Sequence, residues 1–105
     1  MAEPLRRYEI LLPLKFNDGR QIPRELLART HAELKQRFGA ISAESQVIRG
    51  EDDETGSTGD HLTRVFVDVP DTAENRRFFY DLKERLKQRF EQVDIWITMH
   101  PVERL

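Results

Sequence analysis

The sequence predicts an α+β domain whose elements run βαββαβ, with four strands in one antiparallel sheet and two helices on one of its faces. Three observations carry this. Residues 62–70, LTRVFVDVP, alternate Val65, Val67 and Val69 with Arg64, Phe66 and Asp68, the period of two of a strand with unlike faces. Two longer stretches repeat apolar residues at helical spacing. The remaining apolar runs have strand length and are bounded by turn residues or proline.

Residues 1–7 are charged and contain Pro4, and read as a loose lead-in. Residues 8–14, YEILLPL, form the first strand, with Tyr8, Ile10 and Leu12 inward and Glu9, Leu11 and Pro13 on the other face. Pro13 lacks the N–H a ladder needs, so regular pairing ends or bulges there. Asn17-Asp18-Gly19 reads as a turn, because these residues tolerate positive φ or bond to their own backbone. Pro23 fits the first turn of a helix over about 23–38, which carries Leu27, Leu34 and Phe38 on one stripe beside Leu26 and Thr30. Gly39 supplies its stop.

Residues 41–49 alternate weakly, Ile41, Ala43 and Val47 against Ser42, Glu44 and Gln46, which suits an edge strand. Residues 50–61, GEDDETGSTGDH, hold no large apolar side chain and read as a mobile connection. After the valine strand, Asp71 and Glu74 have capping-box spacing. Phe78, Phe79, Leu82, Leu86, Phe90 and Val93 then mark one face of a second helix over about 72–92. A last strand alternates Ile95, Ile97 and Met99 with Trp96, Thr98 and His100 and stops at Pro101.

Two amphipathic helices and four one-sided strands bury best as two layers. Right-handed crossovers then select the split βαβ arrangement, a ferredoxin-like plait with the first and third strands central. Composition agrees with a single domain over residues 1–105. Charged residues make up 34% and hydrophobics 38% of the 105 residues. A chain of this size removes roughly 60–68% of its unfolded surface from water.

The formal net charge is −2, from 17 basic and 19 acidic residues, without the basic excess of a nucleic-acid binder. The pairs Arg6-Arg7 and Arg76-Arg77 read as solvated surface. There is no cysteine, so disulfides, thiolate nucleophiles and cysteine metal sites are excluded. No stretch resembles a signal peptide or approaches the ~18 apolar residues of a membrane span, so the expectation is a soluble, cytoplasmic protein.

The helices cover one sheet face and leave the other open. On the alternation above, that open face holds Glu9, Leu11, Arg64, Phe66, Asp68, Trp96, Thr98 and His100. Burying a large aromatic fully contributes roughly 1.5–3 kcal/mol, so bare Phe66, Trp96 and Leu11 point to an interface or a ligand groove. A second copy packed face to face would cover them, which makes a homodimer the expected partner. His100, Asp68 and Arg64 above an aromatic floor could also bind and polarise a small anionic or carbonyl ligand, with His100 or Asp68 as the candidate catalytic base. Cross-dimer salt bridges are the plainer reading of the same residues.

Elsewhere the chemistry is thinner. His31 on an apolar helix stripe reads as a hydrogen-bonded boundary residue before a proton shuttle. Asp52, Asp53, Glu54, Asp60 and His61 could approach a cation, but the spacing around Gly56 and Leu62 fails the calcium-loop pattern. Ser42, Ser45 and Ser57 lack a nucleophile-elbow pattern, and there is no phosphate loop or dinucleotide fingerprint, so no metal or cofactor is expected. Phe66 and Trp96 on an open sheet resemble the base-stacking aromatics of RNA-recognition motifs, but residues 63–69 lack that family's glycine-and-aromatic pattern.

The runs YEILLPLKFNDG, LTRVFVDVPDT and DIWITMHPVE resemble a group of small uncharacterised bacterial proteins over nearly the whole chain, and this resemblance implies no activity. At fold level the chain is similar to the dimeric α/β-barrel proteins, which pair ferredoxin-like sheets face to face. That superfamily includes small monooxygenases, isomerases and ligand-sensing domains; none of their catalytic motifs matches here residue by residue, so the resemblance implies a dimer more than a reaction. The expected function is a homodimeric binding or regulatory module using the open face. The alternative is a small cofactor-free enzyme with acid–base chemistry at His100 and Asp68.

Overall fold

In the computed structural model, which describes residues 4–48 and 60–105, the chain runs β1 (Leu5–Pro13), α1 (Arg24–Phe38), β2 (Ser42–Ile48), β3 (Asp60–Pro70), α2 (Ala73–Arg89) and β4 (Trp96–Val102). The sheet order is β2-β3-β1-β4 with every neighbouring pair antiparallel, the ferredoxin-like α+β plait. The apolar strands β1 and β3 are central and the polar β2 is an edge, as their alternation predicts.

Strand β1 begins three residues before the expected start. Arg6 and Arg7 are not a loose lead-in: Arg7 stands opposite Asp68 on one side and His100 on the other. Alternation simply continues backward from Tyr8. The strand ends at Pro13, and a loop follows in which Phe16 and Arg20 face each other and Gly19 takes φ 92. An Asp18 oxygen accepts from the Arg20 N–H at 3.0 Å, closing that turn locally.

The helices differ from expectation at their ends. Pro23 is the N-cap of α1 and lies just outside its first turn, and Gly39 closes the helix with φ 85 and an N–H to the Lys35 carbonyl at 2.7 Å. For α2 the cap is Thr72, whose hydroxyl accepts from the Asn75 N–H at 3.1 Å, so the Asp71–Glu74 capping box does not form. Asp71 instead binds Arg6 at 3.0 Å and Arg76 at 3.2 Å. The helix ends at Arg89, three residues short of 92, and Val93 leaves the apolar face to stand 90% exposed. Strand β4 also runs through Pro101, which an edge strand accepts because one row of its N–H groups has no partner to lose.

One core lies between the layers. Ile10, Leu12, Val65 and Val69 rise from the sheet to meet Leu34, Leu82, Leu86 and Phe90. Tyr8 stacks on Phe79 at 3.8 Å between ring centres, and Phe38 packs against both Phe78 and Phe79. Thr30 is the polar exception at the core of α1. Its hydroxyl donates to the Leu26 carbonyl at 2.9 Å and accepts from Arg89 at 2.8 Å, and Arg89 also pairs with Glu33. A polar residue is tolerated there because every hydrogen-bonding group is used.

Candidate functional site

Registry fixes the open face. On β1, Arg7, Glu9 and Leu11 point away from the helices. Across β3 they meet Asp68, Phe66 and Arg64, and across β4 they meet His100, Thr98 and Trp96. All eight residues expected on this face therefore share it, and Arg7 joins them. Glu44 reaches the same cluster from β2, opposite Arg64.

The polar groups of the face pair within the chain. Arg7 clasps Asp68 with two hydrogen bonds, Nε to Oδ1 at 2.8 Å and Nη2 to Oδ2 at 3.1 Å. Arg64 bonds Glu9 with one nitrogen and Glu44, at 2.7 Å, with another. His100 Nε2 lies 3.5 Å from the second Glu9 oxygen. Forked contacts of this kind suit the planar guanidinium and are stronger than neutral hydrogen bonds.

The guanidinium groups of Arg7 and Arg64 also lie over the Phe66 ring, at 4.7 and 4.4 Å from its centre. Phe66 is therefore half-buried under charge, which corrects its reading as a bare aromatic. The uncovered apolar surface is concentrated at the far end of the face, where Trp96 is 62% exposed and borders a hollow with Leu11, Pro13 and Leu62.

These contacts set the proton affinities. Arg64 holds the Glu9 carboxylate below its usual range by direct hydrogen bonding; partial burial opposes this, and His100 adds a smaller pull in the same direction as Arg64. The Arg7 fork likewise holds Asp68 down against partial burial. Both guanidiniums are pushed up by the carboxylates they hold. Asp68 is thus a stabilised anion, already engaged, with little of the basicity a proton-abstracting group needs. Asp68 and His100 do not touch: each faces Arg7 from opposite sides of β1.

Two members of this site, Arg7 and Glu44, are read from the sequence as solvated surface and as part of a weak edge strand. Arg7 could be found by carrying the alternation of Glu9 and Leu11 back two residues. Alternation puts Glu44 on the polar face of β2, but its pairing with Arg64 depends on the β2–β3 register. His31 stands half-buried on α1, away from these residues, with Nε2 enclosed and without a hydrogen-bond partner. The acidic connection with Asp52, Asp53 and Glu54 lies outside the described residues, as do the side chains of Asp60 and His61. Among the described residues no group of three or more acidic or histidine side chains could hold a metal ion, and no helix is long and apolar enough to cross a membrane.

No protein-family model and no curated protein matches the chain. Among solved structures it is similar to a phage SAM lyase in complex with S-methyl-5'-thioadenosine, at 13% identity and a TM-score of 0.69 over 96% of this chain and 84% of the lyase. A de novo designed protein with a ferredoxin fold is matched at 14% identity and a TM-score of 0.37, over 99% of this chain and 88% of the design. At that identity, the likeness to the lyase is one of fold.

Proposed function

We propose that the protein is a homodimeric binding module in which the open sheet face of one protomer packs on that of a second. The observation that carries this is the face itself: an exposed Trp96 and a half-buried Leu11 beside a charge network that is nearly balanced within one chain. A two-fold interface sets a surface against itself, so a face of one sign would repel its copy. Here the carboxylates of Glu9, Glu44 and Asp68 are met by Arg7 and Arg64, with His100 alongside. Four strands at ~4.8 Å spacing and seven residues at ~3.3 Å rise give a face of roughly 19 by 23 Å. That is about 440 Å² when flat, roughly half the ~800 Å² per partner of a standard interface and close to the ~1,000 Å² total that a specific one clears; side-chain relief adds to it. The hollow beside Trp96 would lie at the rim of such a dimer and supplies a place for a small ligand.

Light scattering across a size-exclusion column tests this directly. The expected mass is twice the 12.4 kDa of the chain, with Trp96 emission shifted to the blue. Leu11→Arg is expected to return a monomer with red-shifted emission. A wild-type monomer at high concentration, with wet Trp96, would sink the proposal.

One observation favours a second reading, a cofactor-free enzyme. His100 approaches Glu9, a carboxylate that could orient the imidazole as an acid–base group, and Trp96 offers a stacking surface at the other end of the same face. Asp68 is the weaker candidate because Arg7 occupies both its oxygens. The fold neighbour makes SAM and S-methyl-5'-thioadenosine the first compounds to test. Turnover that survives His100→Ala undiminished removes this reading.

A further inference from the structure

On the opposite side of the sheet, between α2 and the edge strand β4, lies a pocket of about 130 Å³. Arg76, Phe79, Tyr80 and Lys83 recur at helical spacing along the α2 wall, and Met99 forms part of the strand wall. Tyr8 on β1 completes the lining and is 4% exposed. Its ring is held by the parallel stack on Phe79, so its hydroxyl has a fixed position.

That hydroxyl is buried without a hydrogen-bond partner. Burying a hydroxyl unpaired is costly, and such groups in folded proteins call for an explanation. Arg76 is its neighbour: Asp71 first, and Tyr8 after it, push the Arg76 guanidinium up. Arg76 is itself 45% exposed and free to shift.

The charges around the opening do not cancel. Arg6 and Arg76 share the single carboxylate of Asp71, while Lys83 pairs with Asp94 at 3.1 Å. Of these cations Arg76 and Lys83 line the pocket, and Arg6, outside the lining, takes part of the Asp71 charge away from Arg76. The volume is close to the ~150 Å³ that holds one benzene ring in an apolar cavity.

We infer that this pocket binds a small carboxylate with an apolar body about one ring in size, its oxygens bridging the Tyr8 hydroxyl and Arg76 once the Arg76 side chain shifts to uncover that hydroxyl. Phe79 and Met99 enclose the apolar part and Lys83 guards the mouth. The site lies on the helical side of the sheet, shares only Thr98 with the open face, and does not depend on the dimer.

The test titrates benzoate into protein carrying ¹³C-methyl methionine and follows the Met99 methyl resonance. A saturable shift is expected, weaker by about tenfold in Tyr8→Phe, since a hydrogen bond to a charged group is lost. Lys83→Met should weaken it as well, and benzyl alcohol, which has the ring without the charge, should bind far less. Tyr8→Phe keeps the stack on Phe79, so folding is preserved, and circular dichroism verifies it. Isovalerate serves as a second carboxylate of similar size. No saturable shift with either acid in the millimolar range overturns the proposal, and so does a benzoate shift unchanged in Tyr8→Phe.

Discussion

Arg7 and Asp68 face each other across the central strand pair and close a forked, two-bond contact, with the Arg7 guanidinium laid over Phe66. The contact links stability to pH, together with that of Glu9 and Arg64. Both carboxylates have folded-state pKa values below their ordinary ones. Their contribution is therefore fully present above the unfolded carboxylate range of about 4 and is lost as pH falls through the depressed folded values. Thermal unfolding measured downward from pH 6 should show a falling Tm below about pH 4. Asp68→Asn combined with Glu9→Gln should start lower at pH 6 and lose less on acidification. An identical acid loss in the double variant would place the sensitivity in other carboxylates.

Thr30 joins the two helices through Arg89, whose side chain is only 7% exposed. Thr30→Val keeps the shape, removes the acceptor and leaves a nearly buried guanidinium short of one bond. The expected loss is about 1–3 kcal/mol in urea unfolding, with Thr30→Ser retaining most of the stability. A neutral Thr30→Val would mean that Glu33 alone satisfies Arg89.

The start of α2 separates two kinds of contribution. Thr72→Ala removes the cap on the Asn75 N–H and should cost about 1 kcal/mol, little changed by salt. Asp71→Asn leaves the cap intact and weakens only the pairs with Arg6 and Arg76, so its effect should shrink as salt rises. Urea titrations of both variants at low and high salt check this; equal salt dependence would assign the cap to Asp71 after all.

The sheet and its layering were legible because burial leaves a period in the sequence. Val65, Val67 and Val69 announce β3, Phe79, Leu82, Leu86 and Phe90 announce α2, and Gly39 marks a stop that positive φ explains. What stayed hidden depends on pairing. Alternation carried backward reaches Arg7, but no local rule displays Asp68, its partner 61 residues away. Thr30 looks like a margin residue, but its two hydrogen bonds make it core. Val93 fits the helical repeat by spacing alone and fails because α2 ends at Arg89. On the open face the alternation located every candidate, yet it could not show that guanidiniums cover Phe66, which needs the register of β1 against β3.

Arg64 is where stability and the proposed association meet. It holds Glu9 and Glu44 at once and covers Phe66. Within the face, Glu9, Glu44 and Asp68 oppose Arg7 and Arg64, a balance of −1 before His100 is counted; Arg64→Gln changes this to −3 + 1 = −2 per protomer. Two such faces brought together repel, so the dimer dissociation constant should rise by about tenfold or more at low salt and recover partly as salt screens the carboxylates. Arg85→Gln is the matched control, since Arg85 pairs with Glu33 on the helical layer, on the other side of the sheet. Sedimentation equilibrium at two salt concentrations distinguishes them. An Arg64→Gln dimer as tight as wild type would take the Glu9–Arg64–Glu44 cluster out of the interface.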